Sequence, residues 1–329
     1  MILLKSMLAG LAGVAAMLLA HAPMAQAGER AQDFPSKPLR IIVPFTPGSG
    51  SDASARFYGE ALARELGQAV VVENRPGANG VIGIQALKSA PADGYTILLA
   101  SNSPMSVNPL VIKQLPYDPV ADLRPVAGLS RNMNVFVVPL TSPLKSMGDL
   151  AAAAKKQERP FNVGTYSAGY QLAAVWFGSL AGIRFTNIPY KGQAQIMADI
   201  LGSQLDLALV DTGGALPLLK QGKLRALAVS GERRHPELPD VPTVRESGYP
   251  DYIQYSWVSF YVRAQTPDDI VARLATTMQA ILKTPESAAY VARSGSSLMP
   301  YDPDAMRSFH QTEMARFRRV AQAAGIRPE

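Results

Sequence analysis

The chain contains no cysteine. That excludes disulfides, thiolate chemistry, cysteine-rich zinc sites and a lipid anchor on a cysteine. Only three histidines, His21, His235 and His310, occur in 329 residues, so serine triads and histidine metal clusters are poorly supplied. Strong charge of either sign is also missing. The 32 Lys and Arg against 26 Asp and Glu leave a net charge of +6. Local basic clusters are confined to Arg233-Arg234 and to Arg316, Arg318 and Arg319. The second falls on a predicted helix whose other face carries Met306, Phe309, Phe317 and Val320, which reads as a solvated face. No nucleic-acid partner is expected, and the balance is compatible with a small anionic ligand.

Long apolar runs are limited to the N-terminus. Lys5 gives a short positive region, and residues 6–20 are apolar but short for a bilayer. Ala25-Gln26-Ala27 fits a small-x-small cleavage pattern. Residues 1–27 therefore read as a signal peptide cleaved after Ala27, leaving a mature chain from Gly28. Removal of Lys5 takes one unit off the net charge. A periplasmic, exported protein is expected. No twin-arginine pair precedes the apolar region, so export is expected in the unfolded state, which counts against a cofactor loaded in the cytoplasm.

What the chain does have is a strongly patterned stretch from residue 39 to 67. Residues 39–45 are apolar and β-branched enough for a buried strand. A turn follows, rich in glycine and small hydroxyls: Thr46, Pro47, Gly48, Ser49, Gly50, Ser51 and Asp52. A helix then places Tyr58, Leu62 and Leu66 on one face. A strand entering a helix through such a turn aims unpaired N–H groups at one point, and the helix dipole adds partial positive charge. This corner suits a carboxylate. It also supports two other readings. Ser51 or Asp52 also reads as a simple N-cap. Gly48, Gly50 and Ala53, with Glu73 ending the next strand, match the dinucleotide fingerprint.

Strands over 69–73 and 95–100 and a helix over 81–90 complete a β-α-β-α-β pattern, the signature of a parallel sheet covered by helices. Ligands on such sheets sit beyond the carboxyl ends of the strands, where Asn79 and Ser101 join the first corner. Residues 107–124 read as irregular, and a short strand is expected at 135–138. A second strand, hydroxyl-rich turn and helix appear at 161–181, with Thr165, Tyr166 and Ser167 in the turn. Further strands are predicted at 185–189, 205–210, 224–230 and 258–262, and helices at 147–156, 193–201, 215–221, 268–283, 285–294 and 303–324. Two such corners suggest two α/β lobes around a cleft. The chain is expected to enter the second lobe near 125–131 and leave it near 230–239. The C-terminal helices are expected to pack back on the first lobe.

Several motifs, in this order and spacing, resemble the Bug family, the extracytoplasmic solute receptors of tripartite tricarboxylate transporters. They are Phe34-Pro-x-Lys-Pro38, Val43-Pro-Phe45, the Gly48-x-Gly-Ser-Asp52 loop, Val72-Glu-Asn-Arg-Pro-Gly-Ala78 and Asp93-Gly-Tyr-Thr96. Ile188-Pro-Tyr-Lys-Gly192, residues 222–229 and residues 238–244 continue the match. The resemblance implies a type II periplasmic-binding-protein fold: α/β, with two lobes and a ligand cleft between them. It implies lobe one from 28–127 and 233–329, lobe two from 128–232, and a carboxylate clamped by the corners at 46–52 and 165–169. A monomeric receptor working with membrane permease subunits, with no cofactor, is the corresponding expectation. The second loop departs from the family pattern: it is shortened, and Gln171 stands where His is common, so Tyr166 or Tyr170 is a candidate to fill the site.

The candidate ligand residues are Phe45, Thr46, Gly48, Ser49, Gly50, Ser51, Asp52, Asn79, Ser101, Thr165, Tyr166, Ser167 and Asp211. Asp52 is expected to point away from an anion and brace its loop. Asp211 reads either as a partner for a ligand hydroxyl or amine or as a helix cap. Two alternatives compete: an exported NAD-type oxidoreductase using residues 48–53 and Glu73, and a hydrolase using Ser49 or Ser167. The hydrolase lacks a base, because only His235 and His310 remain after processing.

Overall fold

The computed structural model describes residues 33–156 and 159–328. The predicted signal peptide lies outside them. No described helix is long and apolar enough to cross a membrane. Strand β1 (Leu39–Val43) leads through a turn into α1 (Gly50–Leu66), and β2 (Val70–Asn74) returns parallel to β1, with Leu39 opposite Val70. Helix α2 (Val81–Lys88) then leads to β3 (Thr96–Ser101), which pairs parallel on the other side of β1. The β-α-β-α-β unit expected from the sequence is therefore present, with strand order β2-β1-β3.

A short helical segment, Ser103–Val107, leads into the stretch expected to be irregular, which contains a second, Asn108–Val111. It ends in β4, a strand of 17 residues (Leu123–Pro139) where only a short strand was expected. The period-2 pattern is erased there by two register shifts against the neighbouring strand, at Pro125/Ala127 and Gly128/Ser130. Bulges of this kind leave residues unpaired and re-aim the side chains. Gly128 is needed at the second shift: a Cβ there would lie 2.7 Å from the Met299 carbonyl oxygen.

After β4 come α3 (Met147–Lys156), β5 (Phe161–Thr165), α4 (Ala168–Ala181), β6 (Phe185–Pro189) and α5 (Gln193–Leu201). They are followed by β7 (Leu207–Asp211), α6 (Thr212–Lys220) and β8 (Leu224–Val229). A proline-containing connection reaches β9 (Tyr255–Arg263), and α7 (Asp268–Leu282), α8 (Pro285–Arg293), β10 (Ser296–Leu298) and α9 (Pro303–Ala323) complete the chain.

The strand order is β2-β1-β3-β9-β4-β7-β5-β6, with β8 and β10 also paired to β4. Strand β4 is the seam. Its first part, to Met133, pairs antiparallel with β9. From Asn134 onward it pairs with β7 and β8. The crossing thus lies at Met133/Asn134, beyond the 125–131 expected. Past it, alternate side chains serve opposite faces. Val135 and Val137 join Ile196, Ile200 and Val210 on one face. Phe136 and Val138 join Phe161, Leu172 and Phe177 on the other. A sheet covered on both faces explains why these strands read as continuous apolar runs. A third core, under β1 and β3, holds Ile42, Leu98, Trp257 and Met306.

Three chain crossings meet at one buried cluster. The Asn134 N–H donates to Ser230 Oγ (2.8 Å), the Ser230 N–H to the Asn134 carbonyl (2.8 Å) and the Gln254 N–H to the Ser230 carbonyl (2.9 Å). Helix α9 also bridges. Met306 packs with Trp257 in the first core, whereas Phe317, Val320 and Ala321 pack with Phe177 and Tyr252 in the second. The C-terminal helices therefore do not serve the first core alone.

Candidate functional site

The first corner is built by capping. Ser49, in extended conformation, is the N-cap of α1, and its Oγ accepts the Asp52 N–H at 3.2 Å. The cap is thus Ser49, not Ser51 or Asp52, because a cap must precede the first helical residue by one. Asp52 turns the other way, as expected for a brace. Its carboxylate accepts the Gly48 N–H (2.9 Å), Asn74 Nδ2 (2.9 Å) and Arg56 Nε (3.1 Å). Burial opposes its charge, but these donors outweigh it and hold the carboxyl below its usual range. Asn74 Nδ2 also reaches the Phe45 carbonyl at 3.1 Å, so β2 props the turn from behind. Gly48, at φ +79°, supplies the left-handed step that lets the turn close. The N–H groups of Gly50 and Ser51, in the first turn of α1, meet no acceptor among the described residues.

The second corner starts α4, with Ser167 as N-cap. Its hydroxyl does not cap the helix. It accepts from Ser103 Oγ at 2.8 Å, and Ser103 Oγ in turn accepts the Gly169 N–H at 3.0 Å. The start of the helical segment Ser103–Val107, just after β3, is therefore docked against the start of α4. A Cβ on Gly169 would lie 2.6 Å from Ser103 Oγ and 2.8 Å from Asn102 Nδ2, so only glycine admits this approach.

Both corners open on one cavity of about 350 Å³, within the range of small-molecule sites. Phe45, Thr46, Gly48, Ser49, Gly50 and Ser51 line it from the first corner, and Tyr166 and Ser167 from the second; Ser101 and Asp211 also reach its wall. The other three expected residues lie off that wall. Asp52 is buried as the brace. Thr165 is buried and donates to Asn187 Oδ1 (2.6 Å). Asn79 takes a left-handed conformation in the turn before α2, and its carbonyl accepts from Asn108 Nδ2 (3.0 Å). Gln171 is exposed on α4 and does not line the cavity, whereas Tyr170 does.

The sequence reading passed over Ser54, Asn132, Gln193 and Ser256, which also line the cavity. Ser256 arrives on β9 and Asn132 on the bulged half of β4, so neither follows a strand-to-helix turn. Trp257 is both core and wall. Lys191 reaches the rim and is exposed.

At the far side, Asp211 occupies the N-cap position of α6 without capping it. Its carboxylate accepts Ser256 Oγ (2.8 Å) and the Tyr166 hydroxyl. Tyr170 lies with its hydroxyl 2.8 Å from that of Tyr166, the rings 4.4 Å apart. Burial, then the Asp211 charge, pushes both phenols well above their ordinary range, so they remain protonated donors. His235 contacts the Gly295 carbonyl and His310 the Met105 carbonyl (2.8 and 2.9 Å). Neither lines the cavity, so no histidine among the described residues stands there beside Ser49 or Ser167. No group of residues suited to a metal occurs among the described residues.

The dinucleotide reading fails on topology and on Glu73. Strand β9 runs antiparallel beside β3, and Glu73 is held by Arg40 (3.2 Å) and Arg75, which leaves it unsuited to a ribose.

Two sheets sharing β4, with a cavity lined by strand-to-helix corners from both, define a two-lobed α/β protein of the type II periplasmic-binding-protein class. The chain belongs to the tripartite tricarboxylate transporter family receptors, whose family model matches residues 54–326. It is similar to the protein BugT of Bordetella pertussis, 32% identical over 303 residues, 90% of this chain and 92% of the relative. Among solved structures it is similar to R. palustris Rpa4515 with adipate, at TM-score 0.86 and 32% identity, covering 90% of this chain and 100% of that one. It is also similar to MatC from Rhodopseudomonas palustris with bound malate, at TM-score 0.82 and 25% identity, covering 87% and 99%.

Proposed function

We propose that this chain is an exported receptor that closes two lobes on a small carboxylate and presents it to the permease subunits of a tripartite tricarboxylate transporter. The observation that carries the reading is the shared cavity: open first-turn N–H groups of α1 on one side and the Ser167 corner of α4 on the other. Charge-assisted hydrogen bonds from N–H and hydroxyl donors suit a carboxylate. That two similar proteins were solved with adipate and malate supports the ligand class.

In this reading lobe one carries β1–β3, β9, β10 and β4 to Met133. Lobe two carries β4 from Asn134, β5–β8 and the helices between them. The contact set is Phe45, Thr46, Gly48, Ser49, Gly50, Ser51, Ser101, Tyr166, Ser167 and Asp211, with Asp52 and Thr165 holding the corners from behind. The protein binds and does not transform its ligand. It is processed after Ala27, works in the periplasm and acts as a monomer.

Calorimetry of the mature protein against a panel of small mono- and dicarboxylates tests the reading, with NAD as the control. Saturable binding of at least one acid, at one site per chain, is the expected result. A response to NAD with none to any carboxylate would overturn it.

A further inference from the structure

The cavity is not built for negative charge throughout. Asp211 places a carboxylate on its wall, opposite in character to the N–H donors of the first corner. Its oxygens accept from Ser256 Oγ and the Tyr166 hydroxyl, both neutral donors. A carboxylate offers about four acceptor positions, so capacity remains. No cation forms an ion pair with it among the described residues, and Lys191, the other charged residue on the cavity wall, lies exposed at the rim. An uncompensated carboxylate in a closing cleft is unfavourable. A second ligand carboxylate beside it would add like-charge repulsion.

The alternative role for Asp211, capping α6, is not the one its side chain plays. Tyr166 and Ser256 instead hold it on the cavity wall, and burial raises the Tyr166 pKa, which keeps its hydroxyl a donor to it. The shortened second loop thus presents a positioned acceptor where a diacid receptor needs donors.

Resting on the receptor reading above, we infer that the ligand is an amino carboxylate, its acid group held by the Gly50–Ser51 corner and its protonated amine by Asp211. Asp211 acts as the specificity-determining residue. The cavity volume fits a chain of a few carbons between the two groups.

The test pairs acids of equal length: succinate with 4-aminobutanoate, glutarate with 5-aminopentanoate, adipate with 6-aminohexanoate, together with the common α-amino acids. Affinities are measured by calorimetry on the wild type and on Asp211→Asn, with Ser256→Ala as a second variant that keeps the charge. Wild type should bind an amino carboxylate about tenfold to a hundredfold more tightly than its diacid partner, the range for a hydrogen-bonded charge pair. Asp211→Asn should abolish that preference, and Ser256→Ala should retain it. Diacids preferred by the wild type, with the ratio unmoved in Asp211→Asn, would overturn this inference and leave the carboxylate receptor standing. Absence of binding by every acid tested would overturn both.

Discussion

Replacing Gly169 by alanine sets two effects of opposite sign against each other. Gly169 lies in the first turn of α4 with an ordinary helical backbone. Helix propensity alone predicts a gain of about 0.5–1 kcal/mol from the change. Packing predicts a loss. The new Cβ would stand 2.6 Å from Ser103 Oγ and 2.8 Å from Asn102 Nδ2, and overpacking of this kind costs about 1–3 kcal/mol. Moving the Ser103 hydroxyl aside also sacrifices its bonds to the Gly169 N–H and to Ser167 Oγ, each about 1 kcal/mol. The sum favours the loss, by about 2–4 kcal/mol.

Urea denaturation followed by circular dichroism measures it directly. The midpoint should fall with the slope unchanged. Ser103→Ala in the same chain should recover part of the loss, because the two residues are in contact and their effects are not additive. The recovery is incomplete while Asn102 remains. An alanine variant as stable as the wild type, or more stable, would refute the close docking of Asn102 and Ser103 on α4 and the placement of the second corner that depends on it.

Gly50→Leu should separate binding from folding. A Cβ there meets nothing within 4 Å, so stability should move by no more than about 0.5 kcal/mol, while carboxylate affinity falls at least about tenfold; unchanged affinity by calorimetry would contradict the first corner. Ser230→Ala leaves the Asn134 N–H and the Gln254 carbonyl without their buried partner and should cost about 2–3 kcal/mol in chemical denaturation. His310 predicts a pH dependence. Burial lowers its pKa below 6.5, so the unfolded chain takes up the proton first. The His310 contribution is complete above pH 6.5 and declines as pH falls toward the folded-state value. Comparing midpoints at about pH 7.5 and about pH 5.5, His310→Gln should lose less stability than the wild type.

The parallel units were legible because their physics is local. A strand buried on both faces, a turn of glycine and hydroxyls and a helix with one apolar stripe need no distant partner to be recognised, and helices such as α3 and α5 fall where the periodicity puts them. Strand β4 was not legible. Its first half answers to bulges against β9 and to the approach of residues 299–301, which alternation within the strand cannot encode. Helix α9 misled in a similar way: one apolar stripe was visible, but that it serves two cores in succession depends on the curvature of the whole chain.

The candidate site divides along the same line. The two corners follow from the rule that ligands gather beyond strand carboxyl ends. Asp211 sits at such an end too, and its type and position were compatible with a cap or a ligand contact. Position on the chain could not decide, because an N-cap residue is defined by its backbone and its side chain is free to turn elsewhere. What turns it is Ser256, 45 residues away on an antiparallel strand, and Tyr166, 45 residues before it. The first corner is therefore written into one short stretch, whereas the surroundings of Asp211, to which we assign the choice among acids, are assembled from three.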